Sequence, residues 1–93
     1  MAQVKATYFG LFQELTQRKQ DVLRFDRPVL ADLLRELEGR YGRRFIEAAV
    51  DPRTNDLRAG VMVLVNGRRI DFGAPLQDGD EVAFMIAMAG GGS

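Results

Sequence analysis

Apolar and polar residues alternate at the strand period in several short stretches of this chain. Three segments rich in β-branched and aromatic residues are predicted strands: Val4–Phe9, Asp21–Phe25 and Glu81–Ile86. Val61–Val65 is a continuous apolar run, which predicts a strand buried on both faces. Asn66 and Gly67 follow it as a strong hairpin signal, so Arg68–Ile70 is predicted to return as a short strand.

Another segment repeats its apolar residues at the helical period. They form one stripe, made of Leu30, Leu33, Leu34, Leu37 and Tyr41. This stripe predicts an amphipathic helix, with Asp26 expected to cap its start and Pro28 suited to its first turn. Leu11–Arg18 predicts a shorter helix, and Phe45–Val50 a further helical turn before a loop over Asp51–Asp56.

The predicted order of elements is strand, short helix, strand, long helix and then three strands. This order predicts an α+β roll with one main helix on one face of a mixed sheet of about five strands. The first and last strands are expected to lie side by side and parallel, since the long helix supplies the crossover. Residues 1–88 would then form the domain, and 89–93 a flexible glycine-rich tail that leaves from a central strand.

Composition removes whole classes of function. The 93 residues are enough for one domain, and the 13 Lys and Arg balance the 13 Asp and Glu, so no net field attracts nucleic acid or an anionic membrane. Without Cys or His the chain has no thiol nucleophile, no imidazole base and none of the usual zinc or haem ligands. We therefore expect no bound metal or cofactor. No apolar run reaches membrane-spanning length or makes an N-terminal signal, which predicts a cytoplasmic protein.

The C-terminal segment Ala87–Ser93 consists of small residues apart from Met88, with three consecutive glycines at positions 90–92. Alone, such a segment is typical of a fraying terminus or a cloning remnant. Its context is more informative, because it follows Asp78–Ile86, a turn and a strand that end abruptly in small residues.

Five segments spread over nearly the whole chain match one known family: Val4–Phe9, Val29–Tyr41, Val65–Gly67, Ala74–Leu76 and Asp78–Phe84. With the following glycines they resemble the MoaD/ThiS family of ubiquitin-like sulfur carriers. The resemblance is strongest to the small subunit of molybdopterin synthase, since the chain's length and Leu11–Arg18 fit that branch better than the thiazole branch. It implies a β-grasp (ubiquitin-like) fold, in agreement with the predicted order of elements.

The resemblance also implies a reaction at the end of the chain. In the family, an E1-like enzyme uses ATP and magnesium to adenylate a terminal glycine, and a sulfur donor converts the product to a thiocarboxylate. The tail then donates sulfur to a partner, which is the large subunit of molybdopterin synthase or another sulfur-accepting enzyme. By this resemblance Gly91 is the reacting residue and Gly90 precedes it, while the catalytic side chains belong to the partners. The chain would be a carrier subunit of a sulfurtransferase.

Two departures from the family pattern concern the tail and the docking surface. Gly92 and Ser93 are surplus to the family's terminal diglycine, which leads to the hypothesis that a processing peptidase removes them; a cloning remnant and a member that never carries sulfur are the alternatives. The family's partner-binding positions correspond to Phe9, Met85 and, in the tail, Ala89, while a third sheet position, apolar in relatives, is Arg69 here.

Three further functions stay open at this stage. The chain is also compatible with a protein modifier joined through its tail to lysines of targets, since that chemistry begins in the same way. Within the family, carriers also serve thiamine, cysteine or tRNA thiolation pathways. A non-catalytic interaction subunit with an inert tail is the remaining alternative.

Overall fold

The computed structural model describes residues 1–86, and Ala87–Ser93 lie outside the described residues. The helices and strands follow the apolar pattern closely. In chain order they are β1 (Ala2–Tyr8), α1 (Leu11–Thr16), β2 (Gln20–Phe25), α2 (Leu30–Tyr41), α3 (Arg43–Ala49), β3 (Val50–Asp51), β4 (Asp56–Leu57), β5 (Val61–Val65), β6 (Arg68–Arg69) and β7 (Glu81–Ile86).

A mixed sheet of five strands, in the order β2-β1-β7-β5-β6, organises the molecule. Strand β7 lies in the middle, parallel to β1, with Lys5 opposite Glu81, and antiparallel to β5, with Met62 opposite Met85. The other neighbouring pairs are antiparallel. The predicted parallel pairing of the first and last strands is thereby confirmed, as is the central position of the strand that leads into the C-terminal segment.

One face of this sheet is buried beneath the helices. Alternate residues of β1 point into the core, and Val4, Ala6 and Tyr8 are almost fully buried. Four leucines of the predicted α2 stripe meet them, and Leu76 closes one side of the core. Aromatic rings fill the centre; those of Phe45 and Phe84 lie edge to face with their centroids 5.5 Å apart.

The start of α2 differs from the prediction. Its N-cap is Val29, and the carboxylate of Asp32 accepts a hydrogen bond from the Val29 backbone N–H over 2.9 Å. Asp26 takes no part, because Arg27 has a left-handed backbone (φ 51) and Pro28 is buried before the helix begins. The cap therefore comes from inside the first turn and not from the residues before it.

The ends of two other predicted elements also shift. Helix α1 stops at Thr16, two residues before the predicted Arg18, because Gln17 adopts a left-handed backbone (φ 55). The Thr16 hydroxyl then accepts the Arg18 backbone N–H at 3.2 Å. The predicted loop over Asp51–Asp56 is the turn of a small hairpin, in which Asp51 and Asp56 are paired residues of β3 and β4.

Strand β5 is not buried on both faces as predicted. Val63 and Val65 point into the core, whereas Met62 and Leu64 on the other side are only half-buried. The helices pack on one face of the sheet only. The apolar side chains of β5 that point to the other face are therefore not covered by another element within residues 1–86. The consequence is a sheet surface with exposed apolar side chains.

Candidate functional site

A set of hydrogen bonds fixes the turn that precedes β7. The backbone N–H of Gln3 donates to Asp78 Oδ1 at 2.8 Å, and the N–H of Gly79 donates to the Gln3 carbonyl at 2.8 Å. Gly79 has φ 89, a backbone conformation that glycine adopts without a steric cost. The turn is thus joined to the first residues of β1.

Asp80 and Asn66 connect the same turn to the β5–β6 hairpin. The side-chain amide of Asn66 donates to Asp80 Oδ1 at 2.9 Å, while its oxygen accepts the N–H of Glu81 at 3.0 Å. Asp80 Oδ2 also accepts the N–H of Gln77 at 2.8 Å. Asp78–Glu81, the first part of the segment Asp78–Phe84 that resembles the family, therefore sets the position of β7 between its two neighbours.

The sheet face opposite the helices, which we call the open face, carries an apolar patch. Its members are Phe9, Met62, Leu64, Ala83 and Met85. The register aligns Met62 with Met85 and Leu64 with Ala83 across β5 and β7. Phe9 is 46% exposed, and the other four are half-buried.

Phe9 extends the patch to the first strand. Its backbone N–H donates to the carbonyl of Phe84 at 3.0 Å, continuing the pattern in which the N–H of Lys5 donates to the carbonyl of Asp80. The parallel register, which pairs Tyr8 with Phe84, therefore brings Phe9 beside Met85. Phe9, Met85 and Met62 thus form a row across three strands at the end of the sheet where β7 ends.

The opposite end of the open face is polar. Lys5 Nζ lies 3.5 Å from Glu81 Oε2, and the Thr7 hydroxyl donates to the same oxygen at 3.1 Å. The open face therefore changes from charged at the start of β7 to apolar at its end. A partner that bound the apolar patch would lie directly against the point at which the chain continues beyond Ile86.

Arg69 borders the patch on the side of β6. It pairs with Leu64 across the β5–β6 hairpin, which places it on the open face, and it is exposed. Its neighbour Arg68 pairs with Val65 and belongs to the opposite face. The three predicted sheet positions, Phe9, Met85 and Arg69, therefore share one face, with Phe9 and Met85 adjacent and Arg69 two strands away.

The remaining predicted site residues, Ala89, Gly90 and Gly91, lie outside the described residues. Met62, Leu64 and Ala83 also belong to the patch, although the family resemblance does not mark them as partner-binding positions. Their signal was the alternation within Val61–Val65 and Glu81–Ile86: residues that do not face the core must face the opposite side.

A buried cluster of polar groups lies on the core side of the sheet. The carboxylate of Asp21, 7% exposed, accepts hydrogen bonds from the hydroxyls of Tyr8 (2.9 Å) and Tyr41. Burial raises the pKa of Tyr8, and the hydrogen bond and charge of Asp21 raise it further. The pKa of Tyr41 is raised by burial and by Asp21 as well. Because the cluster fastens β1 and β2 to α2, its role is structural.

Within residues 1–86, no three carboxylates gather into a group that could hold a metal ion. None of the helices described there has the length and apolar character needed to cross a bilayer.

Comparison with known proteins gives one family and a consistent fold. The sequence model of the ThiS family matches residues 6–91. A search of curated proteins gave no match.

Among solved structures, a Pyrococcus furiosus protein named as a candidate molybdopterin converting factor, subunit 1, is 24% identical with a TM-score of 0.77, over 95% of this chain and 100% of that one. Small archaeal modifier protein 1 of Haloferax volcanii is 21% identical with a TM-score of 0.77, and the match covers 90% of this chain and 95% of that one. The Haloferax volcanii HVO 2177 protein is 29% identical with a TM-score of 0.78, and the match covers 96% of this chain and 86% of that one. These structures confirm the ubiquitin-like β-grasp fold.

Proposed function

Because the chain belongs to the ThiS family, a family of ubiquitin-like sulfur carriers, we propose that it carries sulfur as a thiocarboxylate on Gly91. The structural observation that supports this proposal is the apolar patch of the open face, which lies beside the end of the central strand β7. A partner held on that patch would receive the following residues into its own active site. The family-model match, which ends at residue 91, supports Gly91 as the terminal carrier residue.

The proposed chemistry uses the chain as substrate. A carboxylate is a poor electrophile, so its oxygen first attacks the α-phosphorus of ATP, releasing pyrophosphate and forming an acyl-adenylate. A sulfur nucleophile then attacks the carbonyl carbon and AMP leaves, which yields the thiocarboxylate. An E1-like enzyme would bind the ATP and magnesium. Since glycine has no Cβ, Gly90 and Gly91 could enter a channel too narrow for other residues.

We assign the sulfur to molybdopterin synthesis, with the large subunit of molybdopterin synthase as acceptor. Helix α1, which fits that branch of the family, and the similarity to the Pyrococcus furiosus protein support this choice. In the proposed sequence of events, a peptidase removes Gly92 and Ser93 before adenylation, so that Gly91 becomes the terminal residue.

Intact mass spectrometry tests the proposal. Three forms of the chain, ending at Ser93, Gly91 and Ala89, are incubated with an E1-like enzyme, ATP, magnesium and a sulfide source. Only the form ending at Gly91 is expected to gain the mass of one oxygen exchanged for sulfur. Equal circular dichroism spectra of the three forms would show that the fold is kept. Failure of the Gly91 form to gain sulfur contradicts the carrier function, and a gain at Ser93 contradicts the processing step.

A protein modifier is the second candidate, supported by the structural similarity to small archaeal modifier protein 1. It would begin with the same adenylate, but the acyl group would then pass to a lysine of a target. Immunoblots of cells that express the tagged chain distinguish the two functions. Bands of higher mass that resist reducing agents and disappear on deletion of residues 90–93 would favour the modifier.

The remaining alternative is an interaction subunit with an inert tail. Cells that carry only the form ending at Ala89 separate it from both functions above. A carrier or modifier loses its activity in these cells, whereas an interaction subunit retains it.

A further inference from the structure

Arg69 is a charged residue at the border of an otherwise apolar contact surface. It faces Leu64 across the β5–β6 hairpin and lies in the same row of side chains as Ala83. None of the ion pairs within residues 1–86 involves its guanidinium. Asp56 and Asp71 line the same cleft as Arg69, but neither forms an ion pair with it.

Covering the patch would remove water from this guanidinium. A buried charge without a partner is strongly unfavourable, whereas a carboxylate that offers two oxygens matches the planar fork of arginine. The only carboxylate on this part of β7, that of Glu81, already accepts Thr7 and pairs with Lys5. Because no carboxylate within residues 1–86 forms an ion pair with Arg69, the covering protein is the source of the compensating group in the proposal below.

We propose that Arg69 determines partner choice by pairing with an aspartate or glutamate on the partner's contact surface. This inference rests on the proposed function, since it assumes that a sulfur-pathway enzyme covers the patch. The partner's surface is then apolar opposite Phe9, Met62 and Met85, and acidic at the border where Arg69 lies. Such an arrangement favours partners that carry the acid and excludes those that present an apolar or basic residue at that point.

The neighbouring residue supplies a matched control. Arg68 and Arg69 are both exposed residues of the two-residue strand β6, yet Arg68 belongs to the opposite face. A change in the overall charge of the chain affects long-range attraction equally for both, whereas a contact within the interface involves Arg69 alone.

The test measures binding of the chain to two purified enzymes, the large subunit of molybdopterin synthase and an E1-like adenylating enzyme, by isothermal titration calorimetry. The variant Arg69→Met, which keeps an apolar stem of similar length, is expected to weaken binding by about 10- to 100-fold. Arg69→Glu should weaken it further, and Arg68→Glu should change it by less than about 3-fold. Replacing one acidic residue of the partner by lysine should restore binding of Arg69→Glu.

Thermal unfolding of each variant, expected to match that of the unchanged chain, confirms that the fold is intact. Suppose that each enzyme which binds the unchanged chain binds Arg69→Met equally well. Arg69 then contributes only its apolar stem, and the inference is wrong while the proposed function stands. If neither enzyme binds the unchanged chain, both are wrong. If the chain associates with itself through this face, a sedimentation-velocity run shows a dimer that Arg69→Glu alters, and the pairing with a separate enzyme is overturned.

Discussion

At the scale of single residues, the carboxylate of Asp21 is the buried group of the core that depends most on hydrogen-bond donors. It is almost completely buried and relies on the hydroxyls of Tyr8 and Tyr41, with Arg18 at 3.7 Å. Every buried side-chain nitrogen and oxygen of the described residues has a hydrogen-bond partner. A charge placed here is tolerated only because these donors satisfy it.

Removing one donor should therefore destabilise the domain. Tyr8→Phe deletes a fully buried hydroxyl and is expected to lower the free energy of unfolding by about 1–3 kcal/mol. Tyr41→Phe, at a more accessible position, should cost about 0.5–1.5 kcal/mol. Urea denaturation of both variants checks the order; a larger loss in Tyr41→Phe would contradict this account of the cluster.

The same cluster predicts a loss of stability in alkali. The pKa values of Tyr8 and Tyr41 are raised in the folded chain, so folding favours the neutral phenols. In the unfolded chain these groups ionise near pH 10, which stabilises that state. Their contribution to stability is full below about pH 10 and is lost progressively as the pH rises above it.

Denaturation measured from neutral pH upward checks this dependence. The variant Tyr8→Phe is the necessary comparison, because it separates the contribution of Tyr8 from every other effect of alkali on the chain. It should show a shallower decline than the unchanged chain, because one of the two shifted groups is absent. An identical decline in both would mean that Tyr8 is not the group responsible.

At the scale of elements, the start of α2 gives a direct comparison between two aspartates. Asp32 accepts the Val29 N–H, whereas Asp26, the residue that the sequence predicts as the cap, makes no such bond. Asp32→Ala is expected to lower the free energy of unfolding by about 0.5–2 kcal/mol. Asp26→Ala should change it by less than about 0.5 kcal/mol. Equal effects in chemical denaturation would contradict the assignment of the cap.

Helix α2 and the strands of the five-stranded sheet could be predicted because their signals are local. The leucine stripe of α2 and the boundaries of β7 follow from spacing alone. Asn66 and Gly67, with φ 52 and 83, form the tight turn that their dipeptide predicts.

The errors have two sources: interactions between distant segments and the backbone conformation of single residues. The exposure of Met62 and Leu64 depends on which face of the sheet the helices cover, and the capping by Asp32 depends on the backbone of Arg27. The open face could be proposed from the family resemblance, but its membership required the register of β5 against β7. Spacing within one segment carries no information about that register.

At the scale of the whole molecule, fold and proposed function use opposite faces of the same sheet. Phe84 lies in the aromatic centre of the core, within 5.9 Å of both Tyr8 and Phe12 as measured between ring centroids. Phe9, which lies two residues before the start of α1, is instead on the open face and is 46% exposed. Substitutions at these two phenylalanines should therefore have separate effects.

Phe84→Ala is expected to lower the free energy of unfolding by about 3–5 kcal/mol, a large share of the stability of a domain of this size. Phe9→Ala should cost less than about 1 kcal/mol and yet reduce the rate of sulfur transfer to the accepting enzyme. Denaturation and single-turnover transfer assays measure the two quantities. Unimpaired transfer by the Phe9 variant would remove the open face from the proposed function.

The parallel pairing of β1 with β7 also has a consequence for how the chain reaches its native state. Contacts such as that between Gln3 and Asp78 join residues 75 positions apart, so the sheet has a high contact order and is expected to fold more slowly than a helical bundle of equal length. During synthesis, β1 and β5 emerge from the ribosome before the strand that belongs between them. Until β7 has been made, β1 and β5 each expose an unpaired edge that can pair with a strand of another chain. The nascent protein is therefore most prone to aggregation during this interval.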